Sequence, residues 1–184
     1  MKKAMIFLFI AVTASVIASE RATLPIFSMP KYDMTNRIIE VFYEKTEDNS
    51  KLEMTVVFKD EDHPCFLIDI IYDAYRYFKY GRIPDIETFF LHLNDNGTLE
   101  GIEFPGVYAG NHKFTDTEDL HGSAYFSASE VEFINERQII YVNTWNHMFS
   151  IEPAFSYDDE ILIYDYPTSK GTRANSEVKY SWKH

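Results

Sequence analysis

Between residues 67 and 78 apolar side chains return at helical spacing, with Leu67, Ile70, Ile71, Ala74, Tyr75 and Phe78 on one side and Asp69, Asp73, Arg76 and Lys79 largely on the other. The spacing predicts one amphipathic helix over about 65–80. Pro64 suits its first position, where a missing N–H costs nothing, and Gly81 suits the left-handed residue that ends it. An apolar stripe of this kind is expected to lie against the core, so the helix is read as a lid on one face or end of the domain.

Elsewhere β-branched and aromatic residues gather in short runs. Residues 37–43 and 52–59 flank the turn-rich stretch 46–50 and predict a hairpin. Residues 86–93 and 99–104 flank Asn94-Asp95-Asn96-Gly97, whose Asn-Gly pair is a strong turn signal. A third hairpin is expected from 130–134 and 138–144 around Asn135-Glu136, with further strands at 160–164 and 177–182. Residues 105–122 show little periodicity and read as one long loop. Residues 20–36, with Pro25 and Pro30, read as an extended N-terminal arm ahead of a single domain over 37–184. Many strands and one helix predict a mainly β fold, with α+β as the neighbouring class: an antiparallel β-sandwich or a curled sheet carrying the helix.

The first residues change the picture from fold to destination. Lys2 and Lys3 precede an uncharged run from Ala4 to Ala18, and small residues end it. That is the layout of a removable signal peptide over 1–19, and a run of about 15 residues is short of the roughly 20 that span a membrane. The mature chain is therefore expected to be secreted, extracellular or periplasmic, without a membrane anchor. Cys65 is the single cysteine, so no intrachain disulfide can form. Beside Phe66 and Leu67 it is expected to be buried as a small apolar group.

Charge excludes one class of partner. The chain carries 17 basic and 29 acidic residues, and removal of Lys2 and Lys3 takes its net charge from −12 to −14. Such a surface repels phosphate backbones, so nucleic acid is not an expected partner.

Residues able to carry chemistry fall at the predicted strand ends. His63 sits in Asp60-Glu61-Asp62-His63-Pro64, His112 and His121 lie in the long loop, and His147 follows Trp145 and Asn146. Imidazoles converging with carboxylates would suit a divalent metal such as zinc, with Asp60 or Asp62 as a further ligand or general base. No His-Glu-x-x-His or Asp-rich calcium loop supports that grouping. Tyr108, Tyr141 and Trp145 are candidates for an aromatic surface that grips a ligand. Asn96-Gly97-Thr98 matches the sequon for N-glycosylation in a eukaryotic secretory route. The resulting expectation is a secreted, acidic, β-rich binding module for a protein, peptide or glycan. The alternative is a small metal-dependent hydrolase built from the histidine-bearing strand ends.

Overall fold

Hairpins form where the sequence places residues that tolerate left-handed backbone. Gly97 (φ 77°) closes the turn between Asp85–Leu93 (β4) and Leu99–Tyr108 (β5), and Asn49 (φ 59°) closes that between Ile38–Lys45 (β2) and Lys51–Phe58 (β3). Asn135 and Glu136, at φ 49° and 67°, form the two-residue turn between Phe133–Ile134 (β7) and Arg137–Val142 (β8). All three expected hairpins are present. In this computed structural model residues 24–183 are described; residues 1–19, expected to be a signal peptide, lie outside them.

The remaining strands are Ile26–Pro30 (β1), Gly122–Ser127 (β6), Phe149–Ser150 (β9), Glu160–Ile163 (β10) and Thr168–Lys170 (β11). Among the described residues two α-helices accompany them, Phe66–Tyr80 (α1) and Arg173–Tyr180 (α2). The eleven strands form one sheet in the order β10-β1-β8-β9-β5-β4-β3-β2-β11, with β6 added on β5 and β7 on β8. It curls into a half-barrel, and the fold is mainly β.

Four expectations from the sequence need correction. The sheet is mixed rather than antiparallel, because β1 runs parallel to β8, β11 to β2, and β9 to β5. Residues 26–30, read as part of an arm, form a strand paired on both edges, with β10 and β8. Every residue of that strand is buried, so no alternation marked it. Residues 177–182, read as a strand, mostly belong to α2, whose first turn is held by a reciprocal box between Thr172 and Asn175. The predicted loop over 105–122 also shortens, since β5 continues to Tyr108 and β6 starts at Gly122.

Inside the curl, alternate residues of the central strands meet. Met54, Val56 and Phe58 of β3 point into the main core, while Val57 faces the opposite side with Phe42 and Ile86. Phe89 meets Phe27 and Phe149 edge-on and Phe104 at a tilt, with Phe89 and Phe149 centred 5.0 Å apart. α2 covers the outer face through Tyr180, whose ring meets Phe42 edge-on at 6.5 Å. Its Lys179 reaches Glu40 of β2 at 2.7 Å. The core is closed without any apolar contribution from the outer stripe of α1.

Candidate functional site: an outward apolar helix and its buried ionic anchor

α1 is amphipathic as its sequence predicts, and Gly81 ends it in left-handed conformation (φ 72°) with its N–H donating to Tyr77. Phe66 begins the helix, so Pro64 lies just outside it rather than at its first position. The orientation, however, is the reverse of the expected lid. Only Asp69, Tyr72, Asp73 and Arg76 escape full exposure, a set spaced i, i+3, i+4, i+7 along the polar face. Opposite them Phe66, Leu67, Ile71 and Phe78 are each 70–72% exposed, and Ile68, Ile70, Tyr75, Tyr77 and Tyr80 are exposed beside them. Cys65, expected in the core, stands exposed at the helix start.

What holds a helix by its polar side is Arg76, the largest of the fully buried side chains. Its Nε lies 2.8 Å from Glu61 and one Nη lies 2.9 Å from Asp60, while the other Nη donates to the Ile83 carbonyl. The turn before the helix is tied in as well. Asp69 accepts the His63 N–H at 2.7 Å, and the ring of Trp145 contacts both His63 (4.7 Å) and Tyr72 (5.7 Å).

Deeper under this anchor His147 is clamped between two aspartates. Its Nδ1 is 3.0 Å from Asp85, and its Nε2 is 3.3 Å from Asp33 in an ion pair whose alignment falls short of a hydrogen bond. The ring stacks on Phe58 with centroids 3.9 Å apart and planes within 6°. Asp33 comes from the short 3-10 segment Lys31–Asn36, Asp85 from the start of β4, and His147 from a turn where it takes positive φ (55°). Three segments far apart in sequence thus share one buried charge cluster.

Burial alone would strip the proton from His147, but contact with Asp33 and Asp85 pushes its pKa up to about 10. Asp85, despite burial, is held below the usual carboxylate range by His147, Arg76 and Arg82. Burial and the charge of Asp85 push Glu61 the other way, up to about 8, against the pull of Arg76.

The sign of the pH effect follows. A folded-state pKa above the unfolded value of 6.5 means that the stabilisation from charged His147 is complete below pH 6.5 and drains away as pH rises through about 10. Glu61 acts in the same sense, since the unfolded chain ionises near 4.5 while the folded chain keeps the proton to about 8. Stability is expected to fall from pH 6.5 to 9 at up to about 1.4 kcal/mol per pH unit for each proton involved. Urea midpoints measured across that range check it; a flat or rising profile contradicts the charge assignment.

The four histidines expected to converge do not. His112 pairs loosely with Asp116 (3.6 Å), His121 stands exposed beside Asp119 (3.5 Å), His63 packs on Trp145, and His147 is sealed in the ionic cluster. Among the described residues no group of three or more His, Cys, Asp or Glu side chains is placed to hold a metal ion, so the expected zinc ligand set is not assembled. Asp60 is committed to Arg76, and Asp62 is exposed.

Nor do the three aromatic candidates form a platform. Tyr141 is buried and donates to Glu132 at 2.7 Å, Tyr108 stacks within the row Phe104 and Phe126, and Trp145 is buried under α1 with its Nε1 donating to Asp116. They serve packing. Asn96 is exposed in its turn. Arg82 meets Glu177 of α2 at 3.0 Å.

Sequence reasoning passed over Arg76, Glu61, Asp33 and Asp85. For Arg76 a signal existed, because the polar stripe of α1 is as periodic as the apolar one. Compared with protein-family models, curated proteins and solved structures, the chain matches none. Function has to be argued from this surface itself.

Proposed function

We propose that the protein is an exported interaction module that docks a protein or peptide through the outward face of α1. One observation carries this reading: a single 15-residue helix leaves nine large apolar side chains exposed while its charged side is ion-paired to the body. Soluble monomers rarely leave contiguous apolar patches of more than about 300–600 Å² in water, and larger ones mark interaction sites. Aliphatic side chains such as Leu67 and Ile71 have no donors or acceptors for sugar hydroxyls, which favours a protein or peptide over a glycan. Export rests on the charged-then-apolar start of the chain, from Lys2 to Ala18. The histidine and carboxylate placements lend the metal-hydrolase alternative no ligand set among the described residues.

The double substitution Ile71→Asp with Phe78→Asp tests the docking face. At nanomolar dilution, where association contributes nothing, the variant is expected to unfold within about 0.5 kcal/mol of the parent, as surface changes do. It should also lose the parent's binding of a hydrophobic dye. A loss of about 2–5 kcal/mol, the size seen for core positions, would mean that the face belongs to the folded interior and would end this reading.

A further inference from the structure

We infer that the occupant of the α1 face is a second copy of this chain, packed helix against helix in antiparallel fashion about a two-fold axis. The inference rests on the reading of that face as a docking surface and names its partner. Leu67, Ile71, Ala74 and Phe78 are all exposed and follow one another at spacings of four, three and four, the repeat of a two-helix seam. In an antiparallel pair centred between residues 72 and 73, Leu67 meets the partner's Phe78 and Ile71 meets the partner's Ala74. Each large side chain then faces a complementary one, and the small Ala74 leaves room for Ile71.

The flanks obey the same symmetry. Ile68 and Tyr75 line one side of the seam and Ile70 and Tyr77 the other, all exposed, so both margins bring an aliphatic side chain to an aromatic one. Antiparallel packing also sets the positive end of each helix dipole beside the negative end of the other.

Area agrees. A 15-residue helix is about 22 Å long. Its five exposed aromatic side chains are 42–72% exposed, which leaves about 60–180 Å² of each to cover, and with Leu67, Ile68, Ile70 and Ile71 the face approaches the roughly 800 Å² per partner of a standard interface.

The test uses the full mature chain. At micromolar concentration sedimentation equilibrium is expected to give twice the chain mass, and Ile71→Asp with Phe78→Asp to return it to one. Orientation is read in a Cys65→Ser background, which removes the exposed native thiol. Leu67→Cys protein and Phe78→Cys protein, mixed and oxidised with copper phenanthroline, should form the mixed disulfide, and neither should crosslink well to itself. Self-crosslinking at position 67 or 78 without the mixed species overturns the antiparallel pairing. A parent that stays monomeric overturns self-association, and if the dilution test above still finds the face dispensable for folding, the docking reading survives with another partner. Binding of the monomer to phosphatidylcholine vesicles, lost in the Asp double variant, assigns the face to lipid and likewise overturns the dimer. Unfolding of that variant at nanomolar dilution sinks both readings together.

Discussion

His147→Ala is expected to leave little folded protein at 37 °C. The substitution removes the cation between Asp33 and Asp85 and the ring that stacks on Phe58 at 3.9 Å. Two buried carboxylates would then face each other without compensation. An uncompensated buried charge costs about 3–5 kcal/mol, and the emptied ring site adds about 2 or more. Against a typical total stability of about 5–15 kcal/mol that sum is close to decisive. Urea denaturation of the variant measures the loss. Adding Asp33→Asn and Asp85→Asn should recover part of it, because the neutral amides remove the repulsion. The variant should also lose most of the parent's decline in stability between pH 6.5 and 10, since its titrating imidazole is gone. A His147→Ala protein as stable as the parent would show that the charge cluster contributes nothing to the fold.

Arg76→Met is expected to act locally first. Methionine keeps an apolar stem of similar reach but withdraws the cation from Glu61 and Asp60 and the donor from the Ile83 carbonyl. The loss should again be about 3–5 kcal/mol, chiefly from Asp60 left without its cation, since Glu61, pushed up to about 8, already holds its proton near neutral pH. Arg76 is the buried position of α1, beside the half-buried Asp69, Tyr72 and Asp73, so its loss should loosen the helix even though Ser181 and Lys183 still hold the carbonyls of its last turn. Backbone amides of residues 66–80 should therefore exchange faster with solvent while those of β3, β4 and β5 stay protected. Trp145 fluorescence should shift too, because its ring rests on Tyr72 and His63. Asp60→Asn in the same chain should restore part of the stability, because it removes the carboxylate left without its cation. Unchanged protection of α1 would remove Arg76 from its role as anchor.

Together the two variants separate two levels of one ionic system. His147 joins the ends of strands in the body, whereas Arg76 clips the helix onto that body. A fold that fastens a helix by its charges leaves its apolar side in solvent, and the ionic anchor keeps that side oriented outward. The strength of the anchor then sets how firmly the apolar side of α1 is held outward.

Local order was legible in the chain. Asn49, Gly97 and the pair Asn135-Glu136 close their hairpins because short-range turn chemistry needs no distant partner. The span of α1 and its end at Gly81 could be read for the same reason. Strand β1 could not, because a strand buried on both faces shows no alternation, and its pairing partners β8 and β10 lie more than 100 residues away. α2 was hidden as well, since Glu177-Val178-Lys179-Tyr180 alternates like a strand and becomes helical where Thr172 and Asn175 cap its start.

The candidate site divides in the same way. Periodicity by itself determined that α1 has one apolar side and one polar side, with Leu67, Ile71 and Phe78 opposite Asp69 and Arg76. Which side turns inward was decided only in three dimensions. The half-barrel fills its own interior with Phe27, Phe58, Phe89, Phe104 and Phe149, leaving no apolar seat for a helix, while Asp60, Glu61 and the Ile83 carbonyl converge on Arg76. A stripe of hydrophobic residues records a preference for leaving water, but the surface that receives it is built by segments elsewhere in the chain or by another molecule.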